Sequence, residues 1–332
     1  MKIFLTIASI QQGGSERVLS EVANYLETQQ HDIHLVLLAK SEDFYKINEK
    51  VKIHRLSFEN KGLISKLFSE IRTFFKMRKL LKNERPDFVL SFMTKYNIFT
   101  IIAASFLNIP VFVSDRSNPK KRLPLMVEIM RKLFYRFASG IIAQTNLAKE
   151  ILEETTGNKN IKVIPNPIKS FDKANQQKEK VIINVGRMVP EKGQIYLLEA
   201  FSKIKAPDWK LVILGDGPLR NELEQLSKKR SIENRVEMPG SVKNVDEWLK
   251  RSSIFAFSSI SEGFPNALAE AMAAGLPCVS FDCDAGPRDL IDGNINGVLV
   301  KIFDVDSFYN EIQKLVDDER KRKMIGNEAS KI

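Results

Sequence analysis

Two glutamates in the second half of the chain, Glu262 and Glu270, are separated by seven residues. The loop between them begins with Gly263, Phe264, Pro265 and Asn266. Pro265 suits a first helical turn and Gly275 suits a helix end, so we expect a helix of about three turns that follows Glu262 and carries Glu270. Carboxylates accept hydrogen bonds from sugar hydroxyls, and amides at a helix N-terminus bind anions. The competing interpretation is a surface helix with incidental acids.

Two cations, Arg187 and Lys192, follow Gly186 in the loop after a short apolar run. In open parallel α/β sheets, ligands bind outside the carboxyl ends of the strands, which is where this loop is expected. Arginine holds phosphate oxygens with its planar fork, and lysine holds them as a point charge. The loop therefore predicts an anion site, and a solvated loop with ordinary surface charges is the alternative.

Another loop, 11–17, contains the adjacent Gly13 and Gly14 and leads into apolar residues at helical spacing. Adjacent glycines let the backbone amides of a helix N-terminus approach an anion closely. The loop lacks the G-x-G-x-x-G spacing of dinucleotide-binding folds, which argues against a dehydrogenase. A tight strand-to-helix turn explains the two glycines equally well.

Thirteen short runs rich in Val, Ile and Phe alternate with segments of helical length. Runs that are apolar on consecutive residues are typical of parallel strands covered on both faces, so the sequence predicts an α/β fold. The series restarts after a polar segment, which predicts two doubly wound, Rossmann-like domains at 1–165 and 181–332 joined by a linker at 166–180. The predicted strands are 2–9, 33–39, 52–57, 87–92, 111–115, 141–145, 162–164, 181–185, 210–214, 235–238, 254–258, 277–281 and 297–300.

Composition and charge limit the class of protein. The chain has 332 residues with 51 Lys plus Arg, 41 Asp plus Glu and two cysteines, which excludes a disordered tail, a collagen-like chain and a disulfide scaffold. Residues 1–170 carry 27 basic and 16 acidic side chains, whereas residues 171–332 carry 24 and 25. The basic half is expected to meet a polyanion or an anionic bilayer.

Targeting signals are not evident in the sequence. The apolar N-terminus lacks a small-residue cleavage pattern, and we interpret it as a first strand. The most apolar internal window, 97–113, is interrupted by polar residues and Pro110 and falls short of the ~20 apolar residues of a membrane span. Cys278 and Cys283 are interpreted as buried structural thiols. These features together predict a cytoplasmic protein.

The Glu262 to Glu270 spacing resembles the E-x7-E motif of retaining glycosyltransferase family 4. Gly13–Gly14, Gly186–Arg187, Lys192 and Gly215–Gly217 also fall in the order of that family, and the similarity covers essentially the whole chain. Segments 114–119 and 281–291 further resemble the subgroup of GalNAc-type transferases that builds bacterial exopolysaccharides and N-glycan lipid precursors. The resemblance implies the GT-B fold, in which two Rossmann-like domains face each other across a cleft.

The resemblance also implies an activity: the retaining transfer of a hexose or N-acetylhexosamine from a UDP-sugar to a lipid-linked or polysaccharide acceptor. It implies catalytic roles for Glu262, Arg187 and Lys192, with Glu262 on the hydroxyls of the transferred sugar. It places Glu270 on the ribose and Ser241 and Val242 beside the base. The remaining donor-binding residues that it implies are Gly13, Gly14, Gly186, Gly215, Gly263, Phe264, Pro265 and Asn266.

Cofactor and metal expectations follow from the cations at the diphosphate. We expect no cofactor and no metal, with the UDP-sugar as donor substrate. The D-x-D sequences Asp282–Asp284 and Asp304–Asp306 are therefore interpreted as loop and cap acids.

Two departures from the family pattern stand out. Many relatives have a histidine in the N-terminal domain where this chain has Arg116, which we assign to the acceptor side. His31, His34 and His54 lie in or before predicted strands, so none is expected to be catalytic. The chain is expected to end after one C-terminal helix, with the usual helix that crosses back onto the first domain missing or truncated.

Segment 61–85 carries eight basic residues against Glu70 and Glu84, with apolar residues near helical spacing. It predicts either a helix lying on anionic lipid or a core helix with a solvated charged back. Because the acceptors of the resembling subgroup are usually lipid-linked, we expect it to contact the inner face of the cell membrane. The expected partners are a UDP-sugar, a lipid-linked saccharide and an anionic membrane, and no nucleic acid.

Two other functions remain open from the sequence. A nucleotide-sugar epimerase or hydrolase could use the same fold. A nonenzymatic polyanion-binding protein could use the basic half, although it would give no reason for Glu262 and Glu270.

Overall fold

The computed structural model describes residues 1–11, 13–58, 63–168, 171 and 178–332. The chain divides into two compact units, Met1–Pro167 and Ile168–Ile332, here called the N-terminal and C-terminal units. Much of the predicted linker 166–180, with Gln12 and the first two residues of segment 61–85, lies outside the described residues.

The described part of the N-terminal unit contains a seven-stranded parallel sheet in the order β3-β2-β1-β4-β5-β6-β7. Its strands are β1 (Lys2–Ile7), β2 (Asp32–Ala39), β3 (Lys52–Phe58), β4 (Phe88–Phe92), β5 (Val111–Ser114), β6 (Gly140–Ala143) and β7 (Ile161–Val163). Its helices are α1 (Gly14–Thr28), α2 (Leu63–Glu84), α3 (Thr94–Ala104), α4 (Leu125–Phe134) and α5 (Asn146–Thr156). Buried side chains of α1 pack in one apolar cluster, and those of α2, α3 and α5 pack in another.

The described part of the C-terminal unit repeats this design with a six-stranded parallel sheet in the order β10-β9-β8-β11-β12-β13. Its strands are β8 (Val181–Val185), β9 (Lys210–Leu214), β10 (Val236–Gly240), β11 (Ile254–Phe257), β12 (Cys278–Phe281) and β13 (Val298–Val300). Its helices are α6 (Gln194–Ser202), α7 (Arg220–Lys229), α8 (Val245–Arg251), α9 (Asn266–Ala273), α10 (Pro287–Leu290), α11 (Val305–Asp317) and α12 (Glu319–Ala329). Two apolar clusters form its core.

The predicted class of two doubly wound α/β domains is confirmed, and every predicted strand overlaps an observed one. Two local predictions were wrong. Helix α9 has eight residues rather than about three turns, because it begins only after Pro265 and ends before Gly275, whose φ of +74° turns the chain as the sequence predicted. Two helices, α11 and α12, follow the last strand, rather than one, since Asp318 ends the first and caps the second.

Candidate active site

An ion pair joins two loops at the carboxyl edge of the C-terminal sheet. Lys192, between β8 and α6, lies with its Nζ 2.6 Å from Oε1 of Glu262, between β11 and α9. The Glu262 side chain is only 9% exposed, and that of Lys192 is 24% exposed. A charge so poorly solvated requires an opposite charge as its partner. Here Lys192 and Glu262 are each other's partner. Two residues predicted to be catalytic therefore contact each other directly.

Backbone and side-chain hydrogen bonds fix the two loops that carry this pair. The Ile260 amide donates to the Glu191 carbonyl at 2.9 Å, and the Ser258 hydroxyl donates to the Lys192 carbonyl at 3.0 Å. The Asn184 side chain, at the end of β8, donates to the Ala256 carbonyl in β11 at 2.8 Å. Sequence analysis did not identify Ser258 or Asn184 as residues that hold these loops. The only sequence signal for either is that it is a small polar residue within or just after an apolar strand.

Glycines allow three loops to approach one another at this edge. Gly193 has a φ of +60°, and a Cβ there would lie 2.2 Å from the Ser258 carbonyl oxygen. Gly215 follows β9 with a φ of +133°, and its Cβ would lie 2.1 Å from the Gly186 carbonyl oxygen. Other residues would be strained at these angles and would collide with backbone. The glycines thus permit the contact between strand-end loops that forms the floor of the site.

Arg187, the other predicted phosphate ligand, lies beside Lys192 on the same loop. Its side chain is exposed and forms no ion pair among the residues that the structure describes. Its carbonyl accepts a hydrogen bond from the buried Gln194 side chain at 3.1 Å, which fixes the backbone below the guanidinium. Gln194, which sequence analysis missed, therefore positions a cation whose guanidinium is open to a ligand.

The structure places Glu262 in the loop before α9 and Glu270 within it, as the spacing predicted. Glu270 is buried, as are Phe264 and Pro265. Gly286, with a φ of +98°, lies so close to Pro265 that a Cβ would come within 2.1 Å of its ring. The Asn266 amide donates to the Phe264 carbonyl at 3.0 Å, so this amide at the start of α9 is already used within the protein.

The residues predicted to border a base follow β10. Ser241 is exposed, and Val242 packs against the apolar cluster beneath it. The Gly215 amide donates to the Gly240 carbonyl at 2.9 Å, which joins this segment to the loop after β9. The loops after β8, β9, β10 and β11 thus lie along one edge of the parallel sheet, where such folds bind ligands.

The N-terminal unit holds the remaining predicted residues, Gly13, Gly14 and Arg116. Gly13 precedes α1, and the Tyr45 hydroxyl donates to its carbonyl at 3.1 Å. No side chain caps α1 among the described residues. The start of α1 is therefore a helix N-terminus with backbone donors, as the adjacent glycines predicted.

Arg116 lies just after β5 with its guanidinium carbon 3.9 Å from the centre of the Phe92 ring. Its Nη1 donates to Oδ1 of Asn166, which also accepts from the Gln144 amide at 2.7 Å. Its Nε has no hydrogen-bond partner among the described residues. Burial lowers the pKa of Arg116 to about 9, so the side chain remains a cation at neutral pH. A half-buried cation suits an anionic or hydroxyl-bearing ligand.

The neighbouring Asp115 is the centre of a buried network that sequence analysis missed. Its Oδ1 accepts hydrogen bonds from Tyr135 at 2.6 Å, Thr94 at 3.0 Å and Asn97 at 3.2 Å. Its Oδ2 lies 3.8 Å from Nη1 of Arg131 in α4. Burial raises the pKa of Asp115 despite these partners. The network ties α3 and α4 to the loop that carries Arg116.

The histidines lie away from these loops, as expected. His34 in β2 and His54 in β3 contact each other at 2.9 Å and stack on Phe4. Burial lowers the pKa of both imidazoles, which favours their neutral forms. They belong to the packing of the sheet, and no catalytic role is assigned to them.

The cysteines and D-x-D acids have structural partners. Cys278 and Cys283 are buried and unpaired, as predicted. Asp282 forms a two-point ion pair with Arg288, and Asp304 caps α11 by accepting from the Ser307 amide at 2.9 Å. Over the described residues, no group of three His, Cys, Asp or Glu side chains could hold a metal ion.

Sequence comparison decides the family. Residues 166–332 match the family described as glycosyl transferases group 1, and residues 12–170 match glycosyltransferase family 4. The chain belongs to these glycosyltransferase families, group 1 in its C-terminal half and family 4 in its N-terminal half. The two matches cover both units and confirm the resemblance that the E-x7-E spacing and the glycine order indicated.

The glycosyltransferase has bacterial relatives that it matches over almost their whole length. It is 30% identical, over 99% of this chain and 92% of the relative, to the GalNAc-α-(1→4)-GalNAc-α-(1→3)-diNAcBac-PP-undecaprenol α-1,4-N-acetyl-D-galactosaminyltransferase of Campylobacter jejuni. It is 27% identical, over 96% and 89%, to the UDP-Gal:α-D-GlcNAc-diphosphoundecaprenol α-1,3-galactosyltransferase of Escherichia coli.

Solved structures support the fold of this glycosyltransferase. Anabaena HepE in complex with UDP superimposes with a TM-score of 0.83 at 19% identity, covering 100% of this chain and 94% of that one. Staphylococcus aureus TarM, also solved with UDP, gives a TM-score of 0.83 at 14% identity over 100% and 96%. These likenesses confirm the GT-B class of two parallel-sheet domains.

Proposed function

We propose that this glycosyltransferase moves a hexose or N-acetylhexosamine from a UDP-sugar to a lipid-linked or polysaccharide acceptor in bacterial surface glycan biosynthesis, with retention at the anomeric carbon. The names of its relatives support this donor and acceptor chemistry, since they include transferases that act on undecaprenol-linked saccharides. The observation that carries the proposal is the contact between Lys192 and Glu262 beside the exposed Arg187.

Arg187 and Lys192 are the proposed ligands of the donor diphosphate. Negative charge gathers on the diphosphate as the bond to the sugar breaks, so fixed cations aimed at it lower the barrier. Lys192 has a second role in this proposal, because it neutralises Glu262 and removes the repulsion that a bare carboxylate would exert on phosphate. Glu262 can then accept hydrogen bonds from the sugar hydroxyls, and Glu270 from the ribose.

Retention is proposed to follow a front-face path. The Glu262 carboxylate is tied to Lys192 at 2.6 Å, which argues against its use as a covalent nucleophile. The acceptor hydroxyl oxygen forms the new bond to the anomeric carbon as the bond to the phosphate oxygen breaks. The departing phosphate oxygen takes the hydroxyl proton, so the products are the glycosylated acceptor and UDP.

The acceptor side is proposed to include Arg116, whose half-buried guanidinium remains a cation at neutral pH. A lipid-linked acceptor requires access to a membrane surface, and we propose peripheral binding to the cytoplasmic face. No helix in the described residues is long and apolar enough to span a bilayer. Helix α2 supplies exposed cations at Lys76, Lys79 and Lys82, which support the sequence-based expectation for segment 61–85.

One cation of α2 does not belong to that exposed set. Arg78 donates from Nη1 to the carbonyls of Ala103 at 3.0 Å and Ser105 at 2.8 Å, and so caps the end of α3. The other face of α2 buries Thr73, Met77 and Leu81 in the core. The helix therefore combines core packing with an exposed, charged back, which is the core-helix interpretation of segment 61–85, and contact of that back with lipid is part of the proposal.

The test is transfer by the purified protein, with each of a panel of radiolabelled UDP-sugars and an undecaprenyl-diphosphate saccharide. We expect one donor to give a product whose anomeric configuration, read by NMR, matches that of the donor. Glu262→Gln should abolish most transfer without weakening UDP binding, whereas Glu222→Gln, an exposed acid on α7, should behave as the parent. Conversion of a UDP-sugar in the absence of acceptor would instead favour an epimerase or hydrolase.

A further inference from the structure

Helix α4 presents a row of large apolar side chains to solvent. Leu125 is 71% exposed, Met126 70% and Phe137, in the turn that follows the helix, 66%. Ile129 and Leu133 are also exposed, and together with Leu125 they repeat every four residues along one face. Single exposed apolar residues are common on proteins, but a continuous row along a helix marks an interaction site.

The inward face of the same helix is apolar as well. Val127, Met130 and Phe134 pack against the core cluster of the N-terminal unit, so α4 is already held in the fold by its other side. No residue of α4 is buried. The exposed row is therefore not needed to attach the helix, and its apolar character requires another explanation.

Cations surround the exposed row. Lys120, Lys121 and Arg122 precede α4, and Lys132 and Arg136 lie within or just after it, all exposed. Residues 116–137 contain seven basic side chains and one acidic one, Glu128. Glu128 is engaged, since its Oε1 accepts from the Leu123 amide at 3.1 Å. An apolar stripe with a cationic border matches the headgroup and acyl boundary of an anionic bilayer.

Neighbouring helices extend this surface. α3 contacts both α2 and α4, and all three contribute to the same core cluster, so their outer sides belong to one layer. The same layer exposes Phe68, Ile71 and Phe75 on α2 and Phe106 after α3. Among the described residues of the C-terminal unit, the exposed large apolar residues are few and separated in sequence.

We infer that α4, with the loop 120–124, inserts its apolar row into the headgroup region of an anionic bilayer and is the principal membrane-docking surface of the N-terminal unit. This inference rests on the proposed function, because a lipid-linked acceptor is what requires such docking. The cations of α2 add electrostatic attraction beside it, and α4 adds apolar insertion, which salt does not screen.

A second copy of the chain is a poor occupant for this face. A symmetric dimer would bring the same cationic border onto itself, and like charges across an interface are repulsive. A bilayer rich in anionic lipid neutralises those charges instead. Dimer formation through α4 is therefore an outcome that would overturn the inference.

Docking at α4 would also orient the acceptor side of the enzyme. Arg131, on α4, lies 3.8 Å from Asp115, and Tyr135 donates to the same carboxyl at 2.6 Å. Asp115 immediately precedes Arg116 in the chain. A bilayer that holds α4 therefore holds, through a buried network, the loop that presents Arg116.

The experiment is cosedimentation of the purified protein with phosphatidylcholine vesicles containing phosphatidylglycerol, at low and high salt. The insertion variant is Leu125→Ser, Met126→Ser, Ile129→Ser, and its matched control is Tyr25→Ser with Met324→Ser, both at exposed apolar positions outside the layer. We expect the parent and the control to retain binding at high salt, and the insertion variant to lose ~tenfold or more in partition coefficient. The charge variant Lys76→Gln, Lys79→Gln, Lys82→Gln should lose binding mainly at low salt.

Transfer assays separate this inference from the proposed function. The insertion variant should keep transfer to a water-soluble acceptor analogue at the parental rate and lose transfer to acceptor in vesicles. Equal sedimentation of parent and insertion variant, no binding by the parent, or a parental dimer that the insertion variant disrupts would each overturn the docking inference. If the parent protein itself transfers no sugar to the soluble analogue, that result would instead count against the proposed function.

Discussion

Lys192 Nζ and Glu262 Oε1 lie 2.6 Å apart although the two residues are 70 positions apart in the chain. The pair joins the loops after β8 and β11, so a substitution in one residue changes the electrostatic setting of the other. The proposed diphosphate ligand and the proposed sugar ligand are consequently one coupled unit. Their contributions to stability and to catalysis should be separable only by comparing single and double variants.

Lys192→Met should destabilise the protein, because it leaves the nearly buried Glu262 carboxylate without its cation. The expected loss is about 1–3 kcal/mol in the free energy of unfolding. Adding Glu262→Gln should restore part of that loss, since a neutral amide needs no counter-charge. Urea unfolding of the parent, both single variants and the double variant measures the coupling. Additive losses would show that the pair contributes no interaction energy.

Arg187→Ala should reduce transfer by about 2–4 kcal/mol of transition-state stabilisation and leave unfolding unchanged. The reason is that the side chain is exposed and has no ion pair within the described residues. The measurement is kcat/KM for the donor, with Arg230→Ala on the exposed end of α7 as the control. Activity in the parent should survive EDTA. Strict dependence on a divalent ion would instead indicate that the diphosphate is bound by a metal ion, held by an acid such as Asp282 or Asp304.

Arg116→Gln should raise the KM for the acceptor and lower its kcat/KM about 10- to 100-fold, because it removes the positive charge of a half-buried guanidinium. UDP release from the donor in the absence of acceptor should not change. Arg55→Gln, an exposed arginine paired with Asp43, is the matched control in the same unit. Equal losses in acceptor use and in donor turnover would refute an acceptor-side role.

The stacked His34 and His54 should make stability sensitive to acid. Burial lowers their pKa in the folded protein, so as pH falls below the unfolded value of about 6.5 the unfolded chain takes up protons first. Stability is therefore complete above that pH and decreases below it. His54→Gln should reduce the loss between about pH 7.5 and pH 5 in urea unfolding, whereas His31→Gln should not. Identical pH profiles for all three proteins would show that the pair does not govern the response.

The strands and the order of the site loops could be predicted from the sequence because parallel strands buried on both faces are continuous apolar runs. Contacts between distant residues could not. Nothing local indicates that Asp115 meets Tyr135 and Arg131, because their contact depends on how α4 packs. Arg78 is a second example. The basic pattern of segment 61–85 predicted contact with lipid, whereas the Arg78 guanidinium caps the end of α3.

The two cysteines have a practical consequence for labelling. Cys278 is fully buried, and burial raises the pKa of Cys283 to about 12. Thiolates are the form that reacts with maleimides, so neither native thiol should be modified in the folded protein at neutral pH. A cysteine introduced in place of Met126 would then be the single reactive thiol on the enzyme. An environment-sensitive fluorophore attached there would report directly whether α4 leaves water when vesicles are added.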